Sequence, residues 1–398
     1  MNIAILIPSL SNGGAERVAA EISKYFSNKG HNLYIFTEQQ KSAEYDFSGK
    51  VVHLKCRGSY YSDYQSWSGL VRSLGKRALE IRTLKKRYKI DAAISFMELY
   101  NLLNVLSKTT ERVIVRVCTV LSPRNYTSKL YMPGLIGFLY NRADCVVTIS
   151  HYGARDMVEN YGIKRNKIKI IPNSVETASS QRNDDEWVYG DNAIVCLARI
   201  SEIKQQELLV DIFFRIKKQI PDAKLLLVGV DTDEYAISLK RKLQKVHGGN
   251  AVIFTGHISH TRYYLMHSKL FMLLSKVEGF GNATIEAMSM GVPVVCMDSP
   301  GASREILAPH TKMTKLEEVE YAKYGVLVPF IDEASPVFED ERKKEVIAEE
   351  IVKTMRNRLV LDKYVKSGKK RAAFFTIERV GKMWDKTIGE SYVRNHGR

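Results

Sequence analysis

Two glutamates, Glu278 and Glu286, stand eight residues apart in the stretch SKVEGFGNATIEAMSMGVPVV, Ser275–Val295. Between them Gly279, Phe280 and Gly281 read as a turn, and Asn282, Ala283 and Thr284 open a helical run that stops at Gly291. Glycines let a backbone turn sharply and approach a ligand closely. The N–H groups at Asn282–Thr284, in the first helical turn, are expected to be free for an anion, with the helix dipole in support. Glu278 then precedes the turn and Glu286 lies one turn inside the helix. Carboxylates repel phosphates but accept hydrogen bonds from hydroxyls. The spacing therefore suits a molecule with a sugar at either end of a diphosphate, a nucleotide sugar.

A diphosphate needs cations. LARISEIKQQELL, Leu197–Leu209, places Arg199 just after a strand and Lys204 at the start of the next helix. Arginine can hold a phosphate bidentately, and lysine acts as a point charge. Nearer the N-terminus, SLSNGGAERVAAE puts Gly13 and Gly14 in the first strand-to-helix turn. The pattern is not GxGxxG, so a dinucleotide fingerprint is not indicated. The pair would let backbone approach a phosphate or sugar. Asp231–Asp233, DTD, reads as turn and helix-cap chemistry, and no metal is expected.

These residues need a frame that brings them to one edge. Short apolar runs alternate with helical periodicity: IAILIP, LYIFT, AAISF, RVIVRV and CVVTIS in the first half, then AIVCLA, KLLLVG, AVIFTG, LFMLL and VPVVCM. This is the strand–helix rhythm of parallel, doubly wound sheets. It breaks at the polar stretch 177–192, TASSQRNDDEWVYGDN, which reads as a linker. The expected organisation is two Rossmann-like α/β domains, 1–180 and 181–375, with their C-terminal strand edges facing across a cleft. A last segment, 376–398, follows them.

At 398 residues the chain suits two domains. No apolar run reaches the roughly 20 residues of a membrane span. Five scattered cysteines, Cys56, Cys118, Cys145, Cys196 and Cys296, form neither a CxxC pair nor a disulfide framework, which fits a cytoplasmic location. The net charge is +16, and residues 1–182 carry 27 basic against 14 acidic side chains, a net +13. A basic first half suggests an anionic partner. Ser68–Lys89 has eight basic residues and one acid, Glu80, with an apolar stripe at Leu70, Leu74, Ala78, Ile81, Leu84 and Tyr88. Its basic face is either simply solvated or meets anionic lipid headgroups or a pyrophosphate-bearing acceptor. No nucleic-acid module is visible, so nucleic acid is not expected as a partner.

Four ordered stretches, GGAER, the R-x4-K after a strand, E-x7-E around GFG, and PGASREIL at Pro300–Leu307, together resemble family 4 of the retaining glycosyltransferases, which have the GT-B fold. IIPNSVE, Ile170–Glu176, resembles that family's domain junction. The resemblance implies that Arg199 and Lys204 bind the donor diphosphate, Glu278 contacts the transferred sugar and Glu286 the ribose. It gives Glu278, Arg199 and Lys204 catalytic weight. It implies donor contacts from Gly13, Gly14, Gly279, Phe280, Gly281, Asn282, Ala283, Thr284 and Glu286, and a final helix packing back on the first domain. Many members carry a histidine after a first-domain strand; the matching stretch, Val113–Tyr126, has none, and Arg116, Thr119, Ser122 and Arg124 are candidates for its place.

The implied activity is metal-independent transfer of a hexose or N-acetylhexosamine from a nucleotide diphosphate sugar to a saccharide, lipid-linked acceptor, in surface polysaccharide or oligosaccharide assembly. No cofactor beyond the donor is implied. The implied place is the cytoplasm, peripheral at the inner face of the membrane. The alternatives are a sugar-nucleotide epimerase on the same fold, or a non-enzymatic protein that binds anionic membrane or nucleic acid.

Overall fold

The computed structural model describes residues 1–11, 13–38, 45–55, 67–122, 132–176, 186–258, 260–312, 316–331 and 337–389, with backbone alone for Trp67, Leu70 and 337–339. Cys56, Arg124, residues 177–185 of the polar stretch and those past 389 lie outside this set, as does the Leu70 side chain. The chain divides into two compact units, one of Met1–Ser174 with the helix that begins at Ile377, the other Val175–Thr376. The division falls a few residues ahead of 180, and its bonds account for it. The Ser174 hydroxyl donates to Glu21 at 2.5 Å, while the Val175 N–H donates to the Phe375 carbonyl at 2.8 Å.

The first unit runs β1 (Asn2–Leu6), α1 (Gly14–Asn28), β2 (Asn32–Thr37), β3 (Lys50–His53), α2 (Trp67–Arg87), β4 (Ala92–Phe96), α3 (Glu98–Leu106), β5 (Arg112–Val117), α4 (Pro133–Tyr140), β6 (Cys145–Thr148), α5 (His151–Glu159) and β7 (Ile168–Ile170). Its sheet has the order β3-β2-β1-β4-β5-β6-β7, every pair parallel. β4 and β6 are buried throughout, as expected of strands covered on both faces. On one face Leu74, Ala78 and Ile81 of α2 share a core with α3 and α4. Two of the eight basic residues of this segment turn inward. Arg77 meets Glu38 at 3.2 Å and Lys85 meets Glu111 at 2.7 Å, both pairs buried.

The second unit runs β8 (Ala193–Leu197), α6 (Gln206–Gln219), β9 (Lys224–Val228), α7 (Glu234–Gln244), β10 (Val252–Gly256), α8 (Thr261–His267), β11 (Leu270–Leu273), α9 (Asn282–Met290), β12 (Val294–Met297), α10 (Ser303–Leu307), β13 (Glu320–Tyr321), β14 (Val326–Val328), α11 (Val337–Arg356) and α12 (Arg358–Ala372). Its sheet order is β10-β9-β8-β11-β12-β14-β13, parallel except for the β13–β14 pair. The last helix, α13 (Ile377–Gly389), belongs to the first unit. Its Val380, Trp384 and Ile388 join the core formed with Val18, Ile22 and Phe26 of α1. A Cβ on Gly381 would stand 2.3 Å from the Tyr25 ring, so the two helices meet where only hydrogen fits. Tyr25 also donates its hydroxyl to Asp385 at 2.7 Å.

In each unit the strand order reverses beside the first strand, at β1/β4 and at β8/β11. Such switch points are where open parallel sheets bind ligands, at the carboxyl ends of the strands.

Candidate active site

In the second unit, β8 and β11 are neighbours, so the segments that follow them emerge side by side. After β8, Ala198 and Ile200 donate their N–H groups to Val228 and Val230 at 3.0 and 2.8 Å. The Arg199 side chain between them projects into solvent and has no partner among the described residues. The fit is close: a Cβ on Gly229 would lie 2.2 Å from the Ala198 carbonyl. A 3₁₀ turn at Glu202–Lys204 follows, and Gln205 takes a left-handed conformation, φ 48°, before α6. The buried amide of Gln206 reaches back to staple this loop, donating to the Arg199 carbonyl at 2.9 Å and accepting from the Ser201 N–H at 3.1 Å. The Lys276 N–H donates to the Ile203 carbonyl at 2.9 Å, tying this loop to the turn after β11.

The Lys204 ammonium donates to the Glu278 carboxylate at 2.6 Å, and the Ser275 hydroxyl donates to the same oxygen at 3.3 Å. Glu278 is 9% exposed. Its backbone is fixed by a bridge to Gly301, in which its N–H donates to Pro300 at 3.0 Å and its carbonyl accepts from Ala302 at 3.2 Å. Gly301 has φ 138°, and a Cβ there would sit 1.6 Å from the Glu278 carbonyl oxygen. That turn is held from below by Arg304, whose guanidinium donates to Asp298 at 2.7 Å and Glu320 at 2.9 Å. Burial lowers the Arg304 pKa, but these two carboxylates outweigh it and the net shift is upward.

Gly281 precedes α9 with φ 89°, a value that favours glycine. The Thr284 N–H donates to the Gly281 carbonyl at 3.0 Å, so it is not open to an anion, contrary to the reading from the sequence. The N–H of Ala283 has no acceptor among the described residues. The Phe280 ring turns inward and meets Phe375 edge-on at 5.4 Å, leaving only its backbone for a ligand. Glu286 is half-buried one turn into α9. Beneath the pair lie two thiols: burial pushes Cys196 and Cys296 up to about 12, and Cys296 is 3.5 Å from the Thr284 hydroxyl. Both are protonated, unreactive floor. Asp233 caps α7, accepting from the Ala236 N–H at 2.9 Å, while Asp231 pairs with Lys240 at 2.6 Å. Among the described residues no His, Cys, Asp and Glu group is arranged to hold a metal ion.

At the edge of the first unit, Gly13 caps α1 and Gly14 is its first residue. The need for glycine at 13 is local. A Cβ would lie 2.0 Å from Oε2 of Glu16, whose carboxylate folds back to accept from the Ser9 hydroxyl at 2.8 Å. The expected room for a ligand is thus partly taken by Glu16, which lies within GGAER but was given no role of its own in the reading from the sequence. Arg116 cannot stand in for the absent histidine at a surface. It is 1% exposed, lies 5.6 Å from the Phe96 ring and 5.3 Å from the Trp384 ring, and donates to Asn173 at 2.5 Å. Burial pulls its pKa down. The buried Thr119 hydroxyl has no partner among the described residues, and Ser122 is half-buried, its N–H on Asp156 at 3.4 Å.

Two family models match successive parts of the chain: "Glycosyltransferase Family 4" matches residues 12–179 and "Glycosyl transferases group 1" matches 177–316. The chain belongs to the family 4 glycosyltransferases of GT-B fold. It is 27% identical over 340 residues to an uncharacterized glycosyltransferase of Methanocaldococcus jannaschii, covering 78% of this chain and 82% of that one. It is also 27% identical to the N-acetylgalactosamine-N,N'-diacetylbacillosaminyl-diphospho-undecaprenol 4-alpha-N-acetylgalactosaminyltransferase of Campylobacter jejuni, covering 76% and 82%. In structure it is similar to a sucrose-phosphate synthase of Thermosynechococcus elongatus, with a TM-score of 0.78 at 17% identity over 99% and 100% of the chains. HepE of Anabaena, in complex with UDP and glucose, gives 0.72 at 16% over 98% and 99%. The chain is a glycosyltransferase that acts on sugar-nucleotide donors.

Proposed function

We propose that this enzyme moves a hexosyl or N-acetylhexosaminyl group, with retention, onto a lipid-linked saccharide at the inner face of the membrane, in surface polysaccharide or oligosaccharide assembly. The observation that carries the site assignment is the Lys204–Glu278 pair, 2.6 Å apart at the β8/β11 switch point beside an uncommitted Arg199. The lipid-linked acceptor is supported by the Campylobacter relative, whose acceptor is a diphospho-undecaprenol.

The leaving group is a nucleoside diphosphate that gains charge as the glycosidic bond breaks. Arg199 can fork onto it, Lys204 adds a point charge, and the Ala283 N–H adds a donor. Donors held in place before the reaction stabilise that charge without reorganising. Glu278, held by Lys204 and Ser275, keeps an oxygen for sugar hydroxyls, and Glu286 reaches the ribose. Glu278 does not serve as a proton shuttle, because its carboxylate is tied to an ammonium. The leaving phosphate takes the acceptor proton on the same face of the sugar.

Thermal shift with UDP-, GDP- and ADP-sugars identifies the donor, which should raise the unfolding temperature of the second unit. Arg199→Ala should keep the wild-type unfolding temperature, since the side chain is exposed and unpaired, yet turnover should fall by about 10² or more. Glu278→Ala should also abolish turnover. Indifference to every donor, or near wild-type turnover in either variant, refutes the assignment.

A further inference from the structure

In the second unit α6, α7 and α11 surround a cavity of about 530 Å³, a size common among small-molecule sites. Val210, Phe214, Leu239, Leu243 and Ile331 give it an apolar lining, all but Phe214 buried. Ion pairs brace the walls. Lys242 of α7 meets Glu207 of α6 at 2.6 Å, and Lys344 of α11 meets Asp211 of α6 at 2.8 Å. Arg215 of α6 reaches Glu341 and Glu345 of α11 at 2.6 and 2.7 Å. Each such pair is weak alone. Four across the same three helices oppose the collapse that normally closes a gap in a packed domain.

The polar lining specifies the chemistry of an occupant. Gln205 is 5% exposed, and its Oε1 has no hydrogen-bond partner among the described residues. A buried acceptor without a donor is costly, so one that persists calls for a reason. The lining has four acids, Glu202, Glu207, Asp211 and the buried Asp340, against two cations, Lys242 and Lys344, and both cations already hold carboxylates. The space thus combines apolar walls, an acceptor in need of a donor, and surplus negative charge. An ammonium on a hydrocarbon body meets all three, since it carries three donors and no acceptor. A carboxylate or phosphate has the wrong sign. Gln205 also connects the cavity to the loop of Lys204. It is the left-handed residue, φ 48°, between the 3₁₀ turn that ends at Lys204 and the start of α6. A side-chain-bearing residue in that region is strained and is held there by its surroundings. Whatever fixes Gln205 therefore fixes the direction from which Lys204 emerges.

We propose that this cavity is a ligand site for a small apolar amine, with the ammonium on Gln205 Oε1 among the acids and the hydrocarbon against α6 and α7, and that its occupant steadies the turn carrying Lys204. The ligand is neither the sugar donor nor the acceptor, and the test needs neither.

The test is calorimetric titration of the full chain at neutral pH with hexylamine, hexanol and hexanoate, three probes of one length and different charge. Hexylamine should bind, hexanol on the order of tenfold more weakly, and hexanoate not at all. Gln205→Met keeps the length of the side chain and removes the acceptor. It should weaken hexylamine about tenfold or more, yet unfold at or above the wild-type temperature, because no buried acceptor is then left unpaired. A merely structural glutamine would lower that temperature when replaced. Val246→Trp, at a half-exposed position of the lining, should fill the space and block hexylamine. Amide hydrogen exchange over residues 201–206 should slow when hexylamine binds the wild type, and should not change in Gln205→Met. No binding of hexylamine, equal affinity for the three probes, full affinity in Gln205→Met, or exchange at 201–206 unaltered by bound hexylamine overturns the proposal. Failure of every nucleotide sugar to bind would sink the transferase assignment and leave these readings as they stand.

Discussion

Gly301→Ala should be far more damaging than its chemistry suggests. The new Cβ would fall 1.6 Å from the Glu278 carbonyl oxygen, in a backbone conformation, φ 138°, that side chains rarely adopt. Neither problem can be solved by a rotamer, because the obstacle is backbone. Relief requires the two segments to part, which breaks the Glu278 N–H bond to Pro300 and the Ala302 N–H bond to Glu278. Two buried backbone hydrogen bonds contribute about 2 kcal/mol, and the strained φ adds about 1–2 kcal/mol. The expected loss of about 3–4 kcal/mol would lower the unfolding temperature by about 6–16 °C in a unit of this size. Gly291→Ala is the control. It also has positive φ, but its nearest obstacle, at 2.6 Å, is the flexible end of Lys369. That variant should lose about 1–2 kcal/mol and keep its donor affinity. The assay is calorimetric unfolding of both variants with titration of the donor nucleotide. Gly301→Ala should also lose donor sugar recognition, since Glu278 moves with its backbone. If Gly301→Ala unfolds within about 2 °C of wild type and binds donor normally, the bridge does not position Glu278 and the reasoning fails.

Gly13→Ala should destabilise the first unit by about 1 kcal/mol, because the methyl group evicts Glu16 from Ser9. Adding Glu16→Ala should remove most of that penalty, and a double-mutant cycle of unfolding free energies measures it; strict additivity would contradict the steric account. Tyr25, whose pKa is pushed up to about 12 by burial and by Asp385, holds its proton in the folded unit above the 10.0 at which an unfolded tyrosine releases it. The support this gives the α1–α13 contact is complete below pH 10 and is lost as pH rises through 12. The stability difference between wild type and Tyr25→Phe should shrink over that window, read by chemical unfolding alongside tyrosinate absorbance.

Local pattern was enough to read much of this molecule. Continuous apolar runs announced the central strands, and the turn at Gly279–Gly281 with its helix was visible as a strand–glycine–helix sequence. What could not be read is what depends on strand order. Lys204 and Glu278 are 74 residues apart, and they meet because β11 inserts beside β8. No periodicity encodes that adjacency. Arg116 misled for a related reason. It stands next to the last residue of an apolar strand, where a surface cation could emerge, but a helix some 260 residues later, α13, closes over it with Trp384. The short strands β3, β7 and β13 escaped because runs of two to four residues are too brief to show a pattern. The first-turn N–H count at α9 failed at Thr284 because the turn tightened onto Gly281.

The pairing of Lys204 with Glu278 also bears on how the proposed reaction begins. With side chains only 23% and 11% exposed, both ions have given up much of their hydration, which offsets their attraction, so the value of the pair lies in placement. Before donor arrives, the carboxylate holds the ammonium in a fixed position and keeps an uncompensated cation from lying bare at the edge of the sheet. Arg199, exposed and uncommitted, is the group positioned to meet the diphosphate first. Lys204 can then share its protons between phosphate and Glu278, since an ammonium has three donors. Glu278 loses little in this exchange, because Ser275 stays and sugar hydroxyls supply new donors. The site therefore turns from a self-neutralised pair into a donor-bound network without having to strip a naked charge from water, the step that makes buried ions costly.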